Sequence, residues 1–233
     1  IPVGKDSLSM RTAWEEAGEK KQVVSPLSLI VTAFAAVRDA RRTATPLLKL
    51  DQGETELILI DVAKGRNRLG GSALAQVYNA TGTDAPDVDE PTRLLAFFNA
   101  VQQLNASGLM LAYHDRGDGG LFATICEMAF ASRCGVTLDT DILCYDPLMH
   151  DVDGNERRPD LLGGRSYELL MRALFAEELG AVIQIRRADR ERVTTTLRDA
   201  GLAGCYNFIG HPNVSDEIRV VQNAKAILRE KRV

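Results

Sequence analysis

The chain has 233 residues, 45% hydrophobic and 26% charged, the balance of a soluble globular protein with one large domain or one domain plus part of another. Its 28 Lys and Arg against 32 Asp and Glu leave a formal charge of -4, which excludes any general attraction to nucleic acid or anionic lipid. The longest apolar stretch, Leu27 to Val37, falls short of the roughly 20 residues of a membrane span, and the N-terminus lacks a signal-peptide layout, so a cytoplasmic location without a membrane partner is expected.

In chain order, Ile1 to Gln22 reads as a polar loop or short helix around Gly4-Lys5-Asp6-Ser7. Leu27 to Val37 reads as a strand buried on both faces, and Glu56 to Val62 as a second strand. Gly70-Gly71-Ser72 opens a short helical stretch from Ala73 to Tyr78, and Thr81 to Asp89 is a loop. Pro91 suits the first turn of a helix whose stripe is Leu94, Leu95, Phe98, Val101, Gln102 and Leu104. Leu109 to Tyr113 is the third strand and runs directly into His114-Asp115-Arg116-Gly117-Asp118-Gly119-Gly120.

A helix from Leu121 to Ser132 follows, with Ile125, Met128 and Ala129 inward, and then a short strand at Val136 to Leu138. Cys144 to Gly164 is polar and reads as a surface insertion; its Asp151, Asp153 and Asn155 lack the closing Glu of a calcium loop. Beyond it come a helix at Ser166 to Glu178, a strand at Ala181 to Arg186 and a helix capped by Asp189 and stopped by Gly201. Short closing strands lie at Cys205 to Ile209 and Ile218 to Val221. The sum is an α+β fold, a layered mixed sheet with helices. Cys126, Cys134, Cys144 and Cys205 show no zinc-like spacing and read as buried reduced thiols.

Three segments have the composition for phosphate or metal chemistry. In the first, a strand end delivers Asp115 into a glycine-rich turn that starts a helix, whose free backbone N–H groups favour an anion. A carboxylate beside phosphate requires a cation between them, so Asp115 is a candidate Mg2+ ligand, with Asp118 a second ligand or the helix cap and His114 a structural hydrogen-bonder. A capped strand-to-helix turn accounts for the same residues. In the second, Gly70 and Gly71 permit close backbone approach and Ser72 caps a helix or bonds phosphate; a tight structural turn is the alternative. In the third, Lys5 balances phosphate charge, Asp6 holds a cation or substrate donor and Ser7 caps; a charged surface turn explains them equally.

Ile1 to Met10 closely resembles a signature of phosphoribosylformylglycinamidine synthases of the large, single-chain type. Leu69 to Gln76, Tyr113 to Leu121 and Glu177 to Gln184 resemble the same family in the same order. The resemblance implies an ATP-dependent carbon–nitrogen ligase of de novo purine biosynthesis. In that family formylglycinamide ribonucleotide, glutamine and ATP become formylglycinamidine ribonucleotide, glutamate, ADP and phosphate. ATP phosphorylates the amide oxygen and glutamine-derived ammonia displaces the iminophosphate.

It further implies a fold like the C-terminal domain of aminoimidazole ribonucleotide synthetase and the cofactors Mg2+ and ATP or ADP. Asp115 is then a metal ligand, and Lys5, Asp6, Ser7, Gly70, Gly71, Ser72 and Gly117 contact nucleotide or phosphate. The family has Ser where Gly117 stands, which removes a hydroxyl donor, and more often Asn at Ala176. Residues 1–24 are expected to end a preceding N-terminal-type subdomain, 25–225 to form the C-terminal subdomain with 143–164 inserted, and 226–233 to begin a linker.

The two ends read as cut from something longer; the other metal ligands lie upstream, and the glutaminase domain with its Cys nucleophile is a further expected partner. No catalytic residue is assigned to this stretch, which is expected to be inactive alone. The alternatives are a non-catalytic scaffold subdomain packing the synthase core and another ATP-using member of the same superfamily.

Overall fold

The computed structural model describes residues 3–6, 11–24, 29–37, 39–145 and 159–232. They fall into two compact units, Ile1–Thr43 and Ala44–Val233. In the first, β1 (Val3–Asp6), β2 (Arg11–Glu16), β3 (Glu19–Val24) and β4 (Leu29–Thr32) pair as two antiparallel ribbons, β1 with β4 and β2 with β3. The β2–β3 turn puts Ala17 at φ 54° and Gly18 at φ 82°, the left-handed pair that a two-residue hairpin requires.

The expected strand over Leu27 to Val37, buried on both faces, is corrected. It ends at Thr32, and Val31, Phe34 and Val37 are exposed. An apolar run states that a cover is wanted, whereas a single antiparallel partner provides none. Lys5 and Asp6 lie on β1; their side chains, and Ser7 altogether, fall outside the described residues.

The second unit is built on one seven-stranded sheet. Its strands are β5 (Thr55–Asp61), β6 (Ala112–Asp115), β7 (Gly135–Asp139), β8 (Gly180–Arg186), β9 (Tyr206–Asn213), β10 (Glu217–Gln222) and β11 (Lys225–Lys231). Their order is β11-β10-β7-β9-β5-β8-β6, antiparallel throughout except for the parallel pair β7–β10. The α+β layered mixed sheet expected from the sequence is the observed architecture. The helices are α1 (Ala73–Val77), α2 (Pro91–Ala106), α3 (Gly120–Ser132), α4 (Pro159–Phe175) and α5 (Arg190–Asp199).

The centre of the sheet is covered on both faces, which is why β5 reads as a continuous apolar run rather than an alternating one. Leu57 and Leu59 face the core shared with Leu121, Ile125 and Met128 of α3 and Leu170 of α4. Ile58 and Ile60 face the other core, with Leu104 of α2 and Val193 and Leu197 of α5. Buried Gln184 on β8 is satisfied: its amide donates to the Lys49 carbonyl (2.8 Å) and Thr55 Oγ1 (2.9 Å), and its Oε1 accepts from Lys49 N–H (2.8 Å).

Several local expectations shift. On α2, Val101 and Leu104 are buried, but Leu95 and Phe98 point to solvent, 60% and 57% exposed. Strand β6 begins at Ala112 rather than Leu109, because the Leu109 N–H bonds back to the Leu104 carbonyl of α2 (3.0 Å). Helix α4 starts at Pro159, inside the expected insertion; Asp151, Asp153 and Asn155 lie outside the described residues. Asp189 stands at the N-cap of α5 without capping it, since its carboxylate accepts from Arg192 instead (2.9 Å). Lys225–Lys231, at the chain's expected approach to a linker, forms the edge strand on β10. All four cysteines are free, three of them buried.

Candidate functional site at two glycine-rich loops

Strand β6, at the edge of the sheet beside β8, ends at Asp115, and the chain turns through Arg116 to Gly119 into α3. Gly119, at φ 79°, is the N-cap, so Asp118 does not cap the helix. Gly120 follows at φ 67°, and a Cβ there would stand 2.7 Å from the backbone of Phe175. The end of α4 therefore packs directly on the start of α3, which only glycine permits.

Gly119 N–H donates to Glu177 Oε1 (2.8 Å) and Gly120 N–H to the Gly117 carbonyl (2.9 Å). The N–H groups of Gly117 and Asp118 have no acceptor among the described residues, and both residues are exposed. Asp115 Oδ1 accepts a short hydrogen bond from Tyr113 Oη (2.5 Å). Burial, reinforced by that bond, pushes the Tyr113 phenol well above its ordinary range. His114 has its Nδ1 2.8 Å from the Asp115 carbonyl oxygen and its Nε2 2.8 Å from Glu127 Oε2, so it ties β6 to α3.

The second loop is organised differently. Gly70 N–H donates to the Asp84 carbonyl (2.8 Å), Gly71 N–H to the Thr81 carbonyl (2.6 Å) and Ser72 N–H to the Leu69 carbonyl (3.2 Å). Ser72 Oγ donates to the Leu69 carbonyl (2.7 Å) and accepts from Ala75 N–H (3.2 Å), the N-cap contact of α1. Ala73 N–H donates to Glu177 Oε1 (2.8 Å). A Cβ at Gly70 would fall 2.6 Å from the Asp84 backbone, so glycine is required by close approach.

The two loops meet at the strip Glu177 to Gly180; Glu177 and Glu178, expected to end a helix and to open a family-like stretch, lie beyond α4, which stops at Phe175. Glu177 Oε1 accepts from both loops. Glu178, fully buried, takes Arg68 through its N–H (3.0 Å), Nε (2.7 Å) and Nη2 (2.8 Å), while Arg68 also binds Asp89 (3.0 Å). Bonding to Glu178 outweighs the desolvation of the guanidinium and raises Arg68 further above its already high range.

Arg116 donates to the Glu178 carbonyl (2.6 Å), the Leu179 carbonyl (3.2 Å) and Asp61 Oδ1 (2.6 Å). Its Nη1 is the one buried side-chain polar atom without a partner among the described residues. The one signal for this hub was a pair of glutamates immediately before an apolar strand, whereas Arg116 stands among His114, Asp115 and Asp118 and has no such mark.

Among the described residues no group of three or more His, Cys, Asp or Glu could hold a metal ion by itself. Asp115 offers a single carboxylate, which fits Mg2+ only when phosphate oxygens and water complete its shell. A groove of about 860 Å³ lies elsewhere, at the C-terminal end of α3 between Lys49, Arg133, Thr137, Phe208 and His211. No residue of the two loops lines it.

Residues 55–222 match the family described as AIR synthase related protein, C-terminal domain, and residues 1–36 match the FGAR-AT PurM_N-like domain. Among solved structures, T. maritima PurL complexed with ATP is similar with a TM-score of 0.55 at 11% identity, covering 91% of this chain and 28% of that one. PurLQS from Thermotoga maritima gives 0.57 at 13% identity, covering 88% and 28%, and T. maritima PurL complexed with FGAR gives 0.55 at 13%, covering 83% and 29%. The chain thus spans little more than a quarter of each of these three structures, and at these identities the likeness is one of fold. With well over half of its length matched, the chain belongs to the AIR synthase related family through that family's C-terminal domain, within the PurL/AIR synthase-like superfamily.

Proposed function

We propose that this chain supplies part of the nucleotide- and phosphate-binding surface of an ATP-dependent ligase of purine biosynthesis. In this reading the whole enzyme converts formylglycinamide ribonucleotide and glutamine to formylglycinamidine ribonucleotide. The observation that carries the reading is the β6–α3 loop, where Asp115 is followed by two exposed N–H groups, Gly117 and Asp118, just ahead of the N-cap of a 13-residue helix. Such a start attracts phosphate, and an adjacent carboxylate requires a bridging cation. The similar T. maritima PurL structures, by their names complexed with ATP, ADP and FGAR, lend support at the level of fold.

Asp115 would hold Mg2+, with Tyr113 orienting its carboxylate; the bound ion would neutralise phosphate charge. Gly117 and Asp118 N–H groups would donate to phosphate oxygens, the backbone serving where the family has a hydroxyl. Gly70, Gly71 and Ser72 contribute the shape of the adjoining wall, their own N–H groups being committed internally. Lys5, Asp6 and Ser7 remain phosphate contacts by resemblance to the family signature alone. The remaining domains, the glutaminase and its ammonia included, would be partners in the complete enzyme. The division into residues 1–24, 25–225 and 226–233 belongs to the same proposal, and the separate match of residues 1–36 supports a chain of two parts.

A scaffold role is the second reading, favoured by the internally satisfied Gly70–Ala73 loop. Thermal unfolding of the 233-residue chain with Mg2+ and ADP separates the two. A hundredfold excess over the dissociation constant stabilises by about 2.7 kcal/mol if the folded chain binds. A Mg2+-dependent rise that Asp115→Asn abolishes is the expected result. No rise in the wild-type chain overturns nucleotide binding by this chain and leaves the scaffold.

A further inference from the structure

We infer that Glu177 is a positioning residue that clamps the two glycine-rich loops together and so sets which N–H groups of the β6–α3 loop stay open to ligand. One carboxylate oxygen, Oε1, accepts from Ala73 N–H and from Gly119 N–H, each at 2.8 Å. These donors belong to loops 46 positions apart in sequence, with no strand pairing between them. A carboxylate suits the place, because two backbone N–H groups converge on it, one of them at the N-cap of the thirteen-residue α3. Charge-assisted bonds of this length are the stronger kind.

The backbone that carries Glu177 is held on both sides. Ala176 and Glu178 are fully buried. Ala176 N–H donates to the Arg172 carbonyl (3.0 Å), ending α4. The Glu178 and Leu179 carbonyls accept from Arg116, the Leu179 carbonyl also accepts from Val62 N–H (3.0 Å), and Arg116 N–H donates to the Gly180 carbonyl (2.9 Å). Glu177 therefore projects from a fixed strip into the gap between two loops.

The consequence is selective. Glu177 takes Gly119 N–H and leaves those of Gly117 and Asp118 facing solvent. Without it, Gly119 and Ala73 would compete for any incoming anion, and the loops would part.

The coupling stands on this geometry alone; its effect on ligand binding rests on the proposed nucleotide site. The test uses the full chain with Glu177→Ala and Glu177→Gln, the second keeping an amide oxygen where Oε1 stands. Amide hydrogen exchange is read at Ala73 and Gly119, with Gly70 and Gly71 as internal controls because their acceptors are Asp84 and Thr81. In Glu177→Ala both amides should exchange faster by about tenfold or more while the controls hold, and Glu177→Gln should restore protection to both.

Mg2+-ADP affinity should fall about tenfold in Glu177→Ala and recover in Glu177→Gln. Loss of protection at one amide only, or at neither, overturns the clamp. Loss at both with unchanged ADP affinity overturns the positioning role. A wild-type chain that ignores ADP overturns the nucleotide site, and the exchange result still decides the clamp.

Discussion

The loops Gly70 to Ala73 and Gly117 to Gly120 carry nearly the same message in sequence: glycines, one small polar residue and the start of a helix. In the fold they part company. Every N–H from Gly70 to Ala73 is spent inside the protein, on Asp84, Thr81, Leu69 and Glu177. Of the Gly117 to Gly120 group two are spent and two are left open. The first loop opens a five-residue helix with little dipole to offer, the second a helix of thirteen. Glycine at a helix start thus has two uses, to let backbone approach backbone and to let a ligand approach backbone, and only the destination of the N–H groups separates them.

The largest blow to this contrast should come from beneath both loops. Arg68→Ala would strand the buried Glu178 carboxylate and should cost about 3–5 kcal/mol in chemical denaturation. A loss under 1 kcal/mol, read against that scale, would mean that the strip Glu177–Gly180 is not what holds the loops.

Next comes the closed loop itself. Gly70→Ala puts a Cβ within 2.6 Å of the Asp84 backbone and should destabilise by about 2–3 kcal/mol, measured by urea unfolding. A neutral outcome would place this loop in the ligand-facing class.

A smaller effect depends on pH and concerns the helix behind the open loop. Burial pushes the thiols of Cys126 on α3 and Cys144 in the same core up to about 11, from an ordinary 9.0. The folded state then keeps protons that the unfolded state releases. That share of stability is whole below pH 9 and is lost as pH rises from 9 through 11. The melting temperature should fall across that window, and fall less in the Cys126→Ala, Cys144→Ala double variant. An equally steep fall would locate the alkaline sensitivity elsewhere.

The mildest change sharpens the contrast most. A Cβ at Gly117 meets nothing within 4 Å, so Gly117→Ser should alter stability by no more than about 0.5 kcal/mol. It restores the hydroxyl of the family pattern and should tighten Mg2+-ADP binding in a calorimetric titration. Equal or weaker binding would show that the loop does not face the nucleotide.

How much of this was legible beforehand follows from the range of the forces involved. Strand β5 was visible in Leu57 to Ile60, because a strand covered on both faces has no polar alternation. Strand β8 and α2 were visible through their apolar pattern and Pro91, and the β6–α3 loop through its order of Asp and Gly. Phe98 and Leu95 were misplaced on the core stripe, because a helix with many apolar positions does not announce which it buries. The same blindness made Leu27 to Val37 look covered.

Composition, apolar periodicity and motif order by themselves determined that this is a layered α+β chain with a strand-to-helix aspartate loop, and which family it resembles. Each of those signals is local, arising from backbone preference and from burial along one element. Only the tertiary structure decided that Glu177 joins two loops, that Arg68, Arg116, Asp61 and Glu178 form the charged ground beneath them, and that one glycine loop is closed and the other open. Hydrogen bonds between residues over a hundred positions apart, such as Arg68 to Glu178, leave no periodic trace, because the partners are chosen by the fold and not by their neighbours in the chain.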